Sequence, residues 1–144
     1  MKKSTDASRD NEEFDKDLLH FSSTDLFPPN HTLVINIAMR TGTLFYTEPG
    51  EGKPRIIRQQ QFSPNGIRVL LPLLQSYPHY CPYNVLLASL FPLSLEASNQ
   101  QLQEEWEMAI RPVRRAIGSI MASLRLFGLT VHSLRGAGYL LKPL

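Results

Sequence analysis

The chain has 144 residues, 42% of them hydrophobic and 19% charged; this is the composition of an ordinary folded protein and predicts one domain with a core of its own. No apolar run reaches the roughly 18–20 residues that cross a bilayer, and the N-terminus lacks the apolar stretch of a secretory leader, so a cytoplasmic protein with no membrane partner is expected. One cysteine, Cys81, can form no internal disulfide, and with four scattered histidines it gives no ligand set at structural-zinc spacing; neither a metal nor another cofactor is expected.

The net charge of +2 conceals an asymmetry. Residues 1–31 carry four basic side chains against seven acidic ones, and the remainder of the chain is correspondingly basic. After Glu107 come Arg111, Arg114, Arg115, Arg125, Arg135 and Lys142 with no acidic side chain among them. Such a run suits a polyanionic partner, although a solvated basic face is the plainer alternative.

Residues 1–31 are polar, lack periodicity and end in Phe27-Pro28-Pro29-Asn30, which reads as a flexible arm. Thr32 to Ala38 is rich in β-branched residues and predicts a strand, followed by a turn at Thr41-Gly42 and a second strand through Leu44-Phe45-Tyr46. Glu48 to Pro54 is a turn-rich loop, and a third strand near Arg55 to Arg58 completes a small antiparallel sheet.

Ser63-Pro64 is a helix start, a capping serine before a proline whose missing N–H costs nothing there. Ile67, Leu70, Leu71 and Leu74 supply one apolar face, and Pro72 predicts a kink or an early end. A second short helix is expected from Pro82 to Leu90. Ser98 opens a third, acidic stretch in which Leu102, Trp106 and Ile110 recur every four residues, and Pro112 is expected to separate it from the next helix. There Val113, Ile117, Ile120 and Leu124 face a core, leaving Arg114, Arg115, Gly118, Ser119, Ala122 and Ser123 on the other side. Gly128 closes that helix, and two strands around Arg135-Gly136-Ala137-Gly138 form a terminal hairpin.

The segment from Leu124 to Leu141, with its Arg135-Gly-Ala-Gly-Tyr139 turn, resembles the end of the OmpR/PhoB-type winged helix-turn-helix domain, where a recognition helix leads into a strand, an Arg-Gly-x-Gly-Tyr wing and a last strand. Phe62-Ser-Pro-Asn-Gly-Ile-Arg-Val-Leu70 looks like that family's first helix, and Val85 to Phe91 like its second. The resemblance implies an α+β fold over residues 32–144: a small N-terminal antiparallel sheet, three core helices plus an inserted helix, and a C-terminal β-hairpin wing. It further implies a transcription regulator that binds double-stranded DNA, with residues 113–125 in the major groove and the wing at 135–138 on the backbone or minor groove. The residues so assigned to DNA contact are Arg111, Arg114, Arg115, Gly118, Ser119, Ala122, Arg125 and Arg135. The enlarged connection at 98–111 implies a contact with RNA polymerase or another regulator, and useful specificity from so small a module implies a dimer or a partner on DNA. The chain departs from the pattern at Gly66, where the family commonly has glutamate, and in the few basic residues after Arg115, and no receiver domain is expected before the fold.

Two other classes stand beside this one. A winged-helix module that binds protein instead of DNA accounts for the same elements. A cysteine enzyme built on Cys81 and His79 needs an oxyanion pocket for which no companion motif occurs, and no phosphate loop, His-Glu-x-x-His or Gly-x-Ser-x-Gly is present; the chain is not expected to be an enzyme.

Overall fold

Four short extended segments open the described part of the chain, and antiparallel pairing makes them one sheet. The computed structural model describes residues 17–144. Its strands are β1 (Leu18–Phe21), β2 (His31–Asn36), β3 (Thr41–Thr47) and β4 (Pro54–Gln61), in the order β1-β2-β3-β4. In β2, Leu33 and Ile35 are buried while Thr32 and Val34 are half-buried, the period of two that a strand requires. Leu33 lies opposite Leu44, so the buried face continues across the pair. These strands form one compact unit that ends at Gln61, and Phe62–Leu144 form a second.

The second unit holds α1 (Pro64–Ser76), β5 (Cys81–Pro82), α2 (Tyr83–Leu90), α3 (Leu95–Glu104), α4 (Trp106–Leu126), β6 (Leu129–Leu134) and β7 (Gly138–Pro143). β5, β7 and β6 make a second antiparallel sheet in that order. The fold class is thus mixed α+β, with four helices and two antiparallel sheets among the described residues.

The core of this unit is the meeting of α1, α2 and α4. Ile110, Val113, Ile117, Ile120 and Leu124 are all buried on one face of α4, at the three- and four-residue spacing that puts side chains on one stripe of a helix. From α1 come Val69, Leu70 and Leu73, and from α2 Leu86 and Leu87, all buried. Ser63 caps α1, accepting a hydrogen bond from the Gly66 N–H at 3.0 Å. Gly66 itself has no room for a side chain: a Cβ there would lie 2.9 Å from Ser63 Oγ and 3.0 Å from Ile120 Cγ2. Close approach of α1 to α4 therefore accounts for a glycine at this position.

Several expectations are corrected. Of the arm expected over residues 1–31, the part within the described residues includes β1, which pairs with β2, and the buried Leu26 and Phe27; residues 1–16 lie outside the described residues. The short apolar cluster around Leu18 suffices for a strand because a neighbouring strand supplies the hydrogen bonds. The first turn sits at Ile37–Arg40 instead of Thr41-Gly42, because the Asn36 side chain accepts from the Met39 N–H at 3.0 Å and Arg40 takes the left-handed conformation (φ 55°).

Neither proline breaks its helix. Pro72 lies inside α1 and Pro112 inside α4. A proline in a helix interior costs about 3 kcal/mol, and each fully buried Val, Leu or Ile returns about 1.5–3 kcal/mol. Around Pro112 the buried face runs unbroken through Ala109, Ile110, Val113, Ala116 and Ile117, which outweighs one lost hydrogen bond. The carbonyls deprived of a donor belong to Arg68 and Met108, both exposed residues. The helix boundary falls at Glu105, whose backbone is non-helical (φ −139°, ψ 59°), and the cap of the acidic helix is Ser94, accepting from the Ala97 N–H at 3.0 Å. Ser98, expected to open that helix, is buried inside α3 with its hydroxyl donating to the Ser94 carbonyl at 3.0 Å.

Candidate nucleic-acid interface

Because one stripe of α4 is buried, the remaining side chains of that helix are fixed outward by geometry alone. Arg111, Arg114, Arg115, Gly118, Ser119, Ala122 and Arg125 are all exposed, as is Arg135 at the hairpin tip. Arg111, Arg115, Gly118 and Ala122 follow one another at intervals of four, three and four residues and so share a row. Arg114 and Arg125 share a second row, three turns and about 16 Å apart along the axis.

The hairpin is held against the helices at its turn. Gly136, in the left-handed conformation (φ 76°), lets the chain reverse so that the Ala137 N–H donates to the Leu134 carbonyl at 2.9 Å. The Tyr83 N–H in turn donates to the Ala137 carbonyl at 3.2 Å, tying the start of α2 to the turn. Gly138 faces β5 so closely that a Cβ would run into the Cys81 carbonyl. An aromatic cluster completes the support: Tyr83 meets Trp106 edge-on at 5.1 Å and Tyr139 edge-on at 5.7 Å.

This support leaves a cleft of about 630 Å³ between the start of α4 and the hairpin. Arg114 lines it from the helix side and Arg135 from the hairpin, with Ser133, Glu107 and the two rings of Tyr83 and Trp106. Two guanidinium groups and a hydroxyl converging on one opening are donors suited to phosphate oxygens. Glu107 is the opposing charge. Burial raises the Tyr139 phenol above its ordinary value, the neighbouring Tyr83 adds to that rise, and the Arg114 guanidinium beside the hydroxyl works against it.

The sequence-derived residues do not form a single site. Arg114 and Arg135 come together at the cleft, whereas Arg115 and Ser119 line a separate recess of about 230 Å³ with Ser63, Asn65 and Pro112, beside the start of α1. The Ser119 hydroxyl is engaged by its own helix, donating to the Ala116 carbonyl at 2.6 Å. Reading the sequence missed Tyr83, Glu107 and Ser133 as cleft residues. Trp106 was expected within the inserted helix, but it begins α4 and is half-buried. The signal available was that Trp106 and Val113 are seven residues apart on one helix; it was hidden by the assumption that Pro112 ends the periodicity.

Cys81 is buried in β5, and burial pushes its thiol up, with a hydrogen bond to Ser76 working the other way. A raised thiol is the reverse of what an activated cysteine nucleophile needs. Among the described residues no group of three or more His, Cys, Asp or Glu side chains could hold a metal ion, and no helix is long and apolar enough to cross a membrane. No family model matches the chain, and no curated protein or solved structure matches it either.

Proposed function

We propose that the chain is a winged helix-turn-helix transcription regulator of the OmpR/PhoB type that binds duplex DNA in the cytoplasm. In this reading α4 enters the major groove and the β6–β7 hairpin is the wing. The observation that carries it is the convergence of Arg114 and Arg135 on one cleft, with Arg111, Arg115 and Arg125 exposed along the same helix. A helix fits the major groove, and flanking arginines gain affinity by displacing counterions from phosphates. Arg114 would anchor the helix, Arg135 the wing, and the row of Arg111, Arg115, Gly118 and Ala122 would approach base edges. One module offers few base contacts, so the reading includes a dimer or a partner on DNA.

Selection of bound sequences from a random duplex pool tests the proposal. Enrichment of a motif, with binding that falls steeply with salt and is abolished in Arg114→Ala/Arg115→Ala, is the expected result. Absence of any bound duplex at low salt removes the reading. A second reading, a protein-binding module on the same fold, is favoured by Glu107 in the cleft and by Ser119, Met121, Ala122 and Ser123 where a DNA-binding helix would carry further cations.

A further inference from the structure

We propose that the groove bounded by α2, α3 and the start of α4 is a docking site for a basic amphipathic helix of a partner protein. The proposal deepens the reading of residues 98–111 as a protein contact and does not require DNA binding. The groove has a volume of about 210 Å³, room for one or two large apolar side chains. Leu87, Phe91, Met108 and Pro112 line it together with Gln101 and Glu105. Phe91 is 43% exposed and Met108 66% exposed; large apolar side chains grouped in this way around a recess are the mark of a surface that is covered by a partner.

Charge selects the partner. Glu105 lines the groove, Glu96 and Glu104 lie on α3, which bounds it, and the sequence has no lysine or arginine between Arg68 and Arg111. An acidic or phosphorylated partner is repelled by this border, and an apolar segment flanked by Lys or Arg is matched to it. The form of the partner follows from the walls. All three bounding elements are helices, so no strand edge is there to accept an added strand, and a helix that inserts apolar anchors one turn apart is the mode that fits.

The groove and the arginine cleft lie on different flanks of α4. Pro112 lines the first and Arg114 the second, and two residues correspond to about 200° around a helix axis. A helix in the groove therefore leaves Arg114 open.

The test is selection from a display library of helical peptides against the full chain without DNA. Enriched peptides are expected to carry apolar residues at i and i+4 flanked by Lys or Arg, and to lose at least about tenfold in affinity for Phe91→Lys or Met108→Lys. Glu104→Lys/Glu105→Lys is expected to weaken binding and flatten its salt dependence, and Arg114→Ala to leave it unchanged. All of these positions are exposed, and circular dichroism checks that the variants keep their helices. No enrichment, enrichment of acidic or uncharged peptides, binding indifferent to Met108→Lys, or a dimer of the chain that Met108→Lys dissolves would each overturn the proposal. Because no duplex is present, a chain that binds peptide but no DNA sinks only the DNA reading.

Discussion

The hydroxyl of Tyr139 lies beside the guanidinium of Arg114. One residue belongs to the last strand and the other to the exposed face of α4, so the contact joins the hairpin to the helix at the cleft. Tyr139 is 8% exposed and Arg114 is open to solvent. A buried, ring-packed phenol is a fixed point from which a long cation can be oriented. Tyr139→Phe keeps the ring stacking and removes the fixed point. If the chain binds DNA as proposed, affinity in that variant is expected to fall by several-fold, about 1 kcal/mol for one hydrogen bond. In an Arg114→Ala background the same change is expected to do nothing further, and titrations of the four proteins forming this cycle measure the coupling directly.

Charge in the cleft gives opposite predictions for neighbouring residues. On the proposed reading as a DNA-binding protein, Arg114→Ala and Arg135→Ala should each weaken duplex binding and reduce the slope of log K against log salt by about 0.9, the value for one phosphate contact. Glu107→Gln, which removes the opposing carboxylate from the same cleft, should strengthen binding, most of all at low salt. A salt series on the three variants checks both signs; an affinity loss in Glu107→Gln would show that the carboxylate orients the arginines.

Two glycines are required by packing, and their substitutions should differ in severity. At Gly66 a methyl group meets the tips of Ser63 and Ile120, which can shift a little, and Gly66→Ala is expected to destabilise the protein by about 1–2 kcal/mol. At Gly138 it meets the backbone of Cys81, which cannot move without unpairing β5 from β7. Gly138→Ala should cost about 3 kcal/mol. Urea unfolding of both variants tests the order.

Alkaline stability should depend on two buried groups. Burial raises the Cys81 thiol above its ordinary value of 9.0 and the Tyr139 phenol above its ordinary value of 10.0. Below pH 9 both groups are protonated in the folded and unfolded chain, and their contribution is fully present. As pH rises beyond those values the unfolded chain releases protons that the folded chain still holds, so stability falls until the folded groups titrate as well. Cys81→Ala should flatten the decline that begins near pH 9 relative to the parent, and Tyr139→Phe the decline that begins near pH 10, as read by unfolding at fixed temperature across a pH series.

What could be read from the sequence was whatever depends on neighbours along the chain. The spacing of Val113, Ile117, Ile120 and Leu124 fixed which side of α4 is buried, and thereby exposed Arg114 and Arg115. Ser63 before Pro64, and Gly128 in the left-handed conformation (φ 79°) after α4, marked helix ends because capping is a matter of one turn. The tertiary structure decided what depends on competition between distant segments. Whether Pro112 ends a helix turns on how much apolar surface is buried on both sides of it, and here that burial is the larger effect. Whether Leu18–Phe21 is a strand turns on β2 lying alongside to satisfy its backbone. Likewise, that Arg114 faces Arg135 across a cleft while Arg115, the next residue, lines another recess follows from the placement of the hairpin and α1 around one helix, which adjacency in sequence cannot encode.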